Sequence, residues 1–393
     1  MNNYKNISLF EGLSALRFFA AFLVVMHHSE TIRSKNGLYN LEWLGLFRNG
    51  GNAVTFFFVL SGFLITYLLL KESYKTGTVS IKKFYIKRTL RIWPLYFLLV
   101  IIGTLILPKA FSLLKINYAM PYSLGQVWYY FVFFLPGLVA FFFGNHFLMP
   151  LWSIGVEEVF YLMWAPIFKI FKSKILVILF SIILVKIFLL TGCYFWIENA
   201  LFNYLVNTFS IESMAIGGLG AYFIFNRKSS LSDLFIYKKP VQIVIYLVFI
   251  VYLLFHVNIN NVIWNPLFNT PIISGILVNF LFLYLIIGVS LVDNNIIKFR
   301  SKIFSYLGDI SYGIYMYQML IIFMVIQLLK KYLIGLSPVL STTLFYLMVT
   351  VGIILISSIS KFVYEDYFLS LKSKLDKNVN TGKYFQREVE RIK

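Results

Sequence analysis

The residues with chemical potential stand where a membrane helix should hold none. The first apolar run contains Arg17 and ends in His27-His28. Arg17 and His28 are eleven residues apart, three turns plus about 20° on a helix, so they share a face roughly 16 Å apart along the axis. His27 points about 80° away, which makes His28 the histidine that faces the bundle. Further along, Ser153, Glu157 and Tyr161 follow at i, i+4 and i+8, a polar stripe on an otherwise apolar helix. A carboxylate beside an imidazole fixes its tautomer and favours its protonated form, as a general base taking a hydroxyl proton requires. His28 with Glu157 is therefore the candidate catalytic pair. The alternative for the carboxylates is a structural role, satisfied by a neighbouring helix, and Glu158 fits it better.

Three further groups accompany them. Arg88 and Arg91, at i and i+3, set one guanidinium fork above another, which suits phosphate groups; basic residues before a span also serve topology and lipid contact. Tyr312 and Tyr315 share a face of a later helix, with Gln318 two turns in. Ser61-Gly62 is a small pair that allows another helix close approach. Ionisable groups in a bilayer are costly, so each is a functional candidate by default. His146 and His256 stand alone near helix ends and read as structural.

The elements that must position these residues follow from composition. Of 393 residues, 60% are hydrophobic and 13% charged, about half the charge of a soluble domain. Apolar runs lie near 12–28, 53–70, 90–107, 151–168, 174–191, 203–224, 240–257, 271–291, 308–329 and 338–360. Each can cross a hydrocarbon core of roughly 30 Å as a helix. The first run lacks a small-residue cleavage site and reads as a retained helix. An eleventh segment, 126–143, is broken by Pro136-Gly137.

Charge decides its course. If 126–143 does not cross, 26 of the 35 Lys and Arg fall on the side of the N-terminus and 7 on the other. If it crosses, the bias reverses. The positive-inside rule then predicts an all-α polytopic membrane bundle of about ten transmembrane helices. Both termini are cytoplasmic, and 126–143 is re-entrant or interfacial. Residues 1–370 form the membrane domain and 371–393 a basic cytoplasmic tail near anionic headgroups. The net charge of +19 lies between apolar runs and reports topology rather than nucleic-acid binding. The single Cys193 excludes an intramolecular disulfide and a CxxC metal or redox site, and no metal is expected.

Five blocks together resemble membrane acyltransferase family 3: Leu16-Arg17 with the helix to His28, Phe57–Phe63 (FFVLSGF), Arg88–Tyr96, Trp152–Tyr161 and Ser311–Tyr315. That family O-acylates surface polysaccharides, lipopolysaccharides and some small molecules. The resemblance places its histidine on His28, its helix-1 arginine on Arg17, its acyl-CoA arginine pair on Arg88 and Arg91, and its serine and glutamate on Ser153 and Glu157. Two positions depart. The aspartate often found before FFVLSGF is Thr55, and the histidine often closing the last block is Gln318, which can hydrogen-bond but cannot titrate.

The expectation is an O-acetyltransferase of the cytoplasmic (inner) membrane. Acetyl-CoA or another acyl-CoA is its co-substrate, bound by Arg88, Arg91 and Arg17, and its acceptor is an extracytoplasmic or lipid-linked glycan. Ser153, Tyr161, Tyr312, Tyr315 and Ser61 support the site. A glycan or lipid transporter would also carry charge in a polar membrane pathway, although the sequence lacks the inverted repeats many transporters show. A receptor with an inactive site is the third class.

Overall fold

The computed structural model describes residues 4–8, 10–116, 120–144, 146–259 and 271–371. Among these the regular structure is helical, as a bilayer demands, because a lipid-exposed backbone must satisfy its own polar groups. The helices are α1 (Leu13–Lys35), α2 (Gly50–Thr76), α3 (Ile81–Ile101), α4 (Leu107–Leu113), α5 (Leu124–Val132), α6 (Pro136–Phe143), α7 (Trp152–Ile170), α8 (Ile175–Phe195), α9 (Ala200–Thr208), α10 (Ile211–Asn226), α11 (Lys239–Ile259), α12 (Pro271–Leu291), α13 (Lys302–Asp309), α14 (Ser311–Ile334) and α15 (Pro338–Ser360). A π-helical turn, Ile102–Ile106, joins α3 to α4. Residues 372–393 of the expected basic tail lie outside the described residues.

Among the described residues, eight helices or continuous helix pairs are long and apolar enough to cross a membrane. They account for eight of the ten runs. The other two runs are α1 and α7, which are long enough at 23 and 19 residues but carry Arg17 and Glu30, and Glu157, Glu158 and Lys169. These are the two helices that bear His28 and Glu157. The run at 203–224 is not one straight helix, since α9 ends at Thr208 and α10 starts at Ile211.

The segment 126–143 is broken, as its Pro-Gly pair implies. α5 and α6 have 9 and 8 residues, about 12–14 Å each, too short to span. Their connecting turn is folded inward. Phe134 packs on Trp93 and Tyr96 of α3, with ring centroids 5.2 and 4.7 Å apart, and Tyr96 OH donates to Phe131 O at 3.0 Å. Gly155 of α7 presses on this turn so closely that a Cβ there would lie 2.4 Å from Phe134 O. The broken backbone is thereby buried in protein, the condition under which a bilayer tolerates it.

At the centre stands α2, with 67% of its apolar window covered by protein, whereas α11 has 17% and faces outward. The close approach expected at Ser61-Gly62 is made with α10. A Cβ on Gly62 would lie 2.0 Å from Met214 O, and one on Gly217 would lie 2.0 Å from Val59 O. The backbones touch, as in other small-residue helix pairs.

α1 runs seven residues beyond its apolar run because its charges find partners. Glu30 accepts from Arg33 Nη1 at 2.8 Å, Tyr346 OH at 2.5 Å and Leu41 N–H at 2.5 Å, while Arg33 Nη2 donates to Thr342 at 2.7 Å. Both charges are fully buried, and the cluster fastens α1 to α15.

Gly217→Ala should destabilise the bundle by about 1–3 kcal/mol or more, because the added methyl meets backbone rather than a side chain that can turn away. Gly51→Ala, whose Cβ meets no described atom within 4 Å, should not. Thermal melting in detergent checks both; equal melting temperatures would contradict the contact.

Candidate active site

Most of the polar residues picked from the sequence converge. A cavity with about 900 Å³ of atom-free space, partly open, lies between α1, α2, α3, α7 and α14. Arg17, Ser61, Arg88, Arg91, Ser153, Glu157, Tyr161, Tyr312 and Tyr315 all line it. The helical stripe of α7 and the tyrosine pair of α14 thus face the same space. Five helices supply these three guanidiniums, one carboxylate, two serines and three phenols.

The hydroxyls form two chains. Tyr161 OH donates to Glu157 Oε2 at 2.8 Å, and Ser61 Oγ lies 2.5 Å from Tyr161 OH. Since the phenol has one proton, Ser61 is the donor to Tyr161, so the order is Ser61, Tyr161, Glu157. In the second chain Ser153 Oγ meets Tyr315 OH at 2.7 Å, and Tyr315 OH donates to Pro150 O at 2.9 Å. Tyr312 OH donates to Ile92 O of α3 at 3.0 Å. Both tyrosines therefore pin α14 to other elements and shape one wall.

The guanidiniums are held differently. Arg88 lies over the Tyr161 ring at 5.3 Å and the Phe84 ring at 5.8 Å. Arg17 makes only long contacts, to Leu13 O at 3.5 Å and Ser14 Oγ at 3.4 Å. Among the described residues none of Arg17, Arg88 and Arg91 is in an ion pair. With Glu157 as the one carboxylate on the lining, the cavity has excess positive charge.

Arg88 and Arg91 also line a second space, an open groove of about 2,460 Å³ at the turn from α2 to α3. Lys75, Lys82, Lys83 and Lys87 border it, opposed by Glu72 alone. These lysines, topological by sequence, border a groove that shares Arg88 and Arg91 with the cavity lining.

His28 is not among the lining residues, and the expected His28–Glu157 pair is not formed. Among the described residues no hydrogen bond or ion pair joins His28 to Glu157, whose Oε2 accepts from Tyr161. His28 is half-buried, 5.3 Å from the His27 ring, with no hydrogen-bond partner among the described residues. The sequence argument assumed that α7 begins at the membrane surface. Instead the inward α5–α6 turn presses on α7 beside mid-α3, so Glu157 faces the same cavity as Arg17. α2 packs against both α1 and α7.

Two other residues lie off the cavity lining. Glu158 accepts from Trp93 Nε1 at 2.8 Å. Gln318 is fully buried and donates to Tyr315 O at 2.9 Å; it does not reach the cavity.

A family model described as an acyltransferase domain, that of acyltransferase family 3, matches residues 10–360. The chain belongs to acyltransferase family 3. In this family member the match takes in every cavity-lining residue and the bundle around it. The O-acetyltransferase OatA of Staphylococcus aureus strain NCTC 8325 is 31% identical over 159 residues, 39% of this chain and 24% of the relative. A candidate O-acetyltransferase of Staphylococcus aureus strain COL is 32% identical over 168 residues, 42% of this chain and 25% of the relative. The matched stretch thus spans about a quarter of the length of these relatives. No solved structure matches.

The Ser61–Tyr161–Glu157 chain predicts coupled substitutions in this acyltransferase-family bundle. Ser61→Ala and Tyr161→Phe should each cost about 1–2 kcal/mol, and the double variant less than their sum by about 0.5 kcal/mol or more. Unfolding of the purified variants measures the cycle; strict additivity would mean that the bond is absent.

Proposed function

We propose that this chain is a membrane O-acyltransferase. It takes an acyl group, acetyl in the simplest case, from cytoplasmic acyl-CoA and passes it to a hydroxyl of an extracytoplasmic or lipid-linked glycan. The observation that carries this reading is the pair Arg88 and Arg91 at the join of a basic groove and a membrane-embedded cavity. A polyphosphate with a long uncharged arm fits such a path: charge held at the mouth, arm inside. The charge bias of the loops, with 26 Lys and Arg on the side of that groove, supports a cytoplasmic groove and cytoplasmic termini in a cytoplasmic membrane.

In this reading Arg88 and Arg91 bind the phosphates, and Arg17, deeper, contacts the CoA arm on its way towards His28. Ser61, Tyr161 and Glu157 hold the arm through their hydrogen-bond chain. His28 acts on the acceptor side, about 16 Å along α1 from Arg17. Its free imidazole takes the proton of the acceptor hydroxyl as the C–O bond forms and the C–S bond breaks, and CoA leaves as the thiolate. Glu157 does not polarise it; the carboxylate belongs to the donor side. An acyl-histidine intermediate would use the same residue as nucleophile.

The test is O-acyl transfer to envelope glycan, with CoA release, in membranes bearing wild type, His28→Ala, His27→Ala or Arg88→Ala. His28→Ala should lower transfer by about 100-fold or more, as loss of a general base does. His27→Ala should retain most activity. Arg88→Ala should weaken acyl-CoA binding by about tenfold or more, the loss of a charge-assisted bond. Transfer that survives without His28 would overturn its role, and export of glycan without any covalent product would favour a transporter.

A further inference from the structure

Lys186, the second charge within an apolar run, has no part in the site above. Its side chain is 3% exposed, on α8, and reaches the break between α9 and α10. Nζ donates to Val206 O and to Phe209 O, the latter at 2.6 Å, and lies 3.4 Å from Glu212 Oε2. The ammonium thus caps carbonyls left open where α9 ends, and its charge is balanced by Glu212.

What remains open is a set of acceptors. A cavity with about 580 Å³ of atom-free space, partly open, lies between α8, the α9–α10 break and α12. Glu212 and Asn279 line it. Asn279 is 2% exposed, and among the described residues its buried Oδ1 has no hydrogen-bond partner; Glu212 Oε2 likewise has only the ion pair with Lys186. A buried unpaired amide is costly, so it marks a place where a partner belongs. Asn207 also faces the space, its Nδ2 donating backwards to Asn203 O at 2.8 Å. Lys186 is also on the lining, and the remaining walls are aliphatic, among them Ile187, Leu190, Ile272 and Ile276.

This chemistry selects a ligand class. An anion meets Glu212, and the lining cation, Lys186, is already held by Val206 O, Phe209 O and the Glu212 carboxylate. A cation meets a carboxylate already balanced by Lys186. Hydroxyls suit both partners: one donates to Glu212, and another donates to the amide oxygen of Asn279 or accepts from its Nδ2. An apolar edge against the aliphatic wall completes the fit, as with the face of a sugar ring or the neck of a polyol headgroup. We propose that the cavity between α8, α9–α10 and α12 binds a neutral hydroxyl-bearing group, a sugar or polyol, through Glu212 and Asn279. The inference does not depend on acyl transfer.

The full chain in phosphatidylcholine nanodiscs can be titrated with hexyl glucoside, hexyl phosphate and hexylammonium, following the shift in melting temperature. Saturable stabilisation by the glucoside, and none by the two charged probes, is expected. Asn279→Leu should weaken glucoside binding by about tenfold or more, the worth of one hydrogen-bonding partner. Gly275→Leu should do the same by filling the space, since a Cβ there meets no described atom within 4 Å. It decides the matter if Asn279→Leu does not fold. Competition by a diglucosyl lipid would assign a membrane source and competition by maltose a soluble one. No saturable effect, equal effects of the charged probes, or unchanged affinity in Gly275→Leu would overturn the site.

Discussion

Backbone contact between α2 and α10 at Gly62 and Gly217 fixes the centre of the bundle. In a bilayer, helices gain nothing from burying apolar side chains against one another, so association rests on close packing and on polar contacts. The residue beside Gly62 is Ser61, which that contact holds facing the cavity on the side of α7. Trp164 of α7 adds a bond from Nε1 to Thr66 of α2 at 3.0 Å. The arginine cavity is therefore built against a helix that cannot easily shift.

Charge in this membrane domain divides into two kinds. Glu30 with Arg33, and Lys186 with Glu212, are buried and paired, and their partners include backbone groups at helix breaks and turns. Removing one member of such a pair would strand the other, which makes them constraints on the fold. Arg17, Arg88 and Arg91 are the opposite case, half-buried or exposed and without an ion pair among the described residues. Positive charge kept unpaired beside an aromatic ring and a single carboxylate is suited to a ligand that brings its own negative charge.

Much of this was legible in the sequence because two periodicities were clean. Apolar runs gave the spans, and the Pro136-Gly137 break together with the loop charges marked 126–143 as no span. The i, i+4, i+8 stripe put Ser153, Glu157 and Tyr161 on one face, where the structure has them. Depth was not legible. It depended on how the α5–α6 turn folds inward beside Gly155, a tertiary contact without a local signal, and so Glu157 was assigned to the level of His28. The extension of α1 to Lys35 was hidden for a similar reason, since Glu30 and Arg33 look like loop charges until Tyr346 and Thr342 meet them. Asn279 and Glu212 carry no motif; only their burial makes them visible.

The central claim is that the cavity beyond Arg88 and Arg91 receives the acyl-CoA arm from the groove side. Leu64 lines that cavity and is half-buried, outside both hydroxyl chains. A Leu64→Cys variant, with Cys193 replaced by Ser, can be alkylated by a small thiol reagent in oriented membrane vesicles. Acetyl-CoA added on the groove side should slow the reaction by about tenfold at saturation, and S-acetylpantetheine, which lacks the phosphates, should not at the same concentration. Alkylation at an unchanged rate under saturating acetyl-CoA would contradict the account.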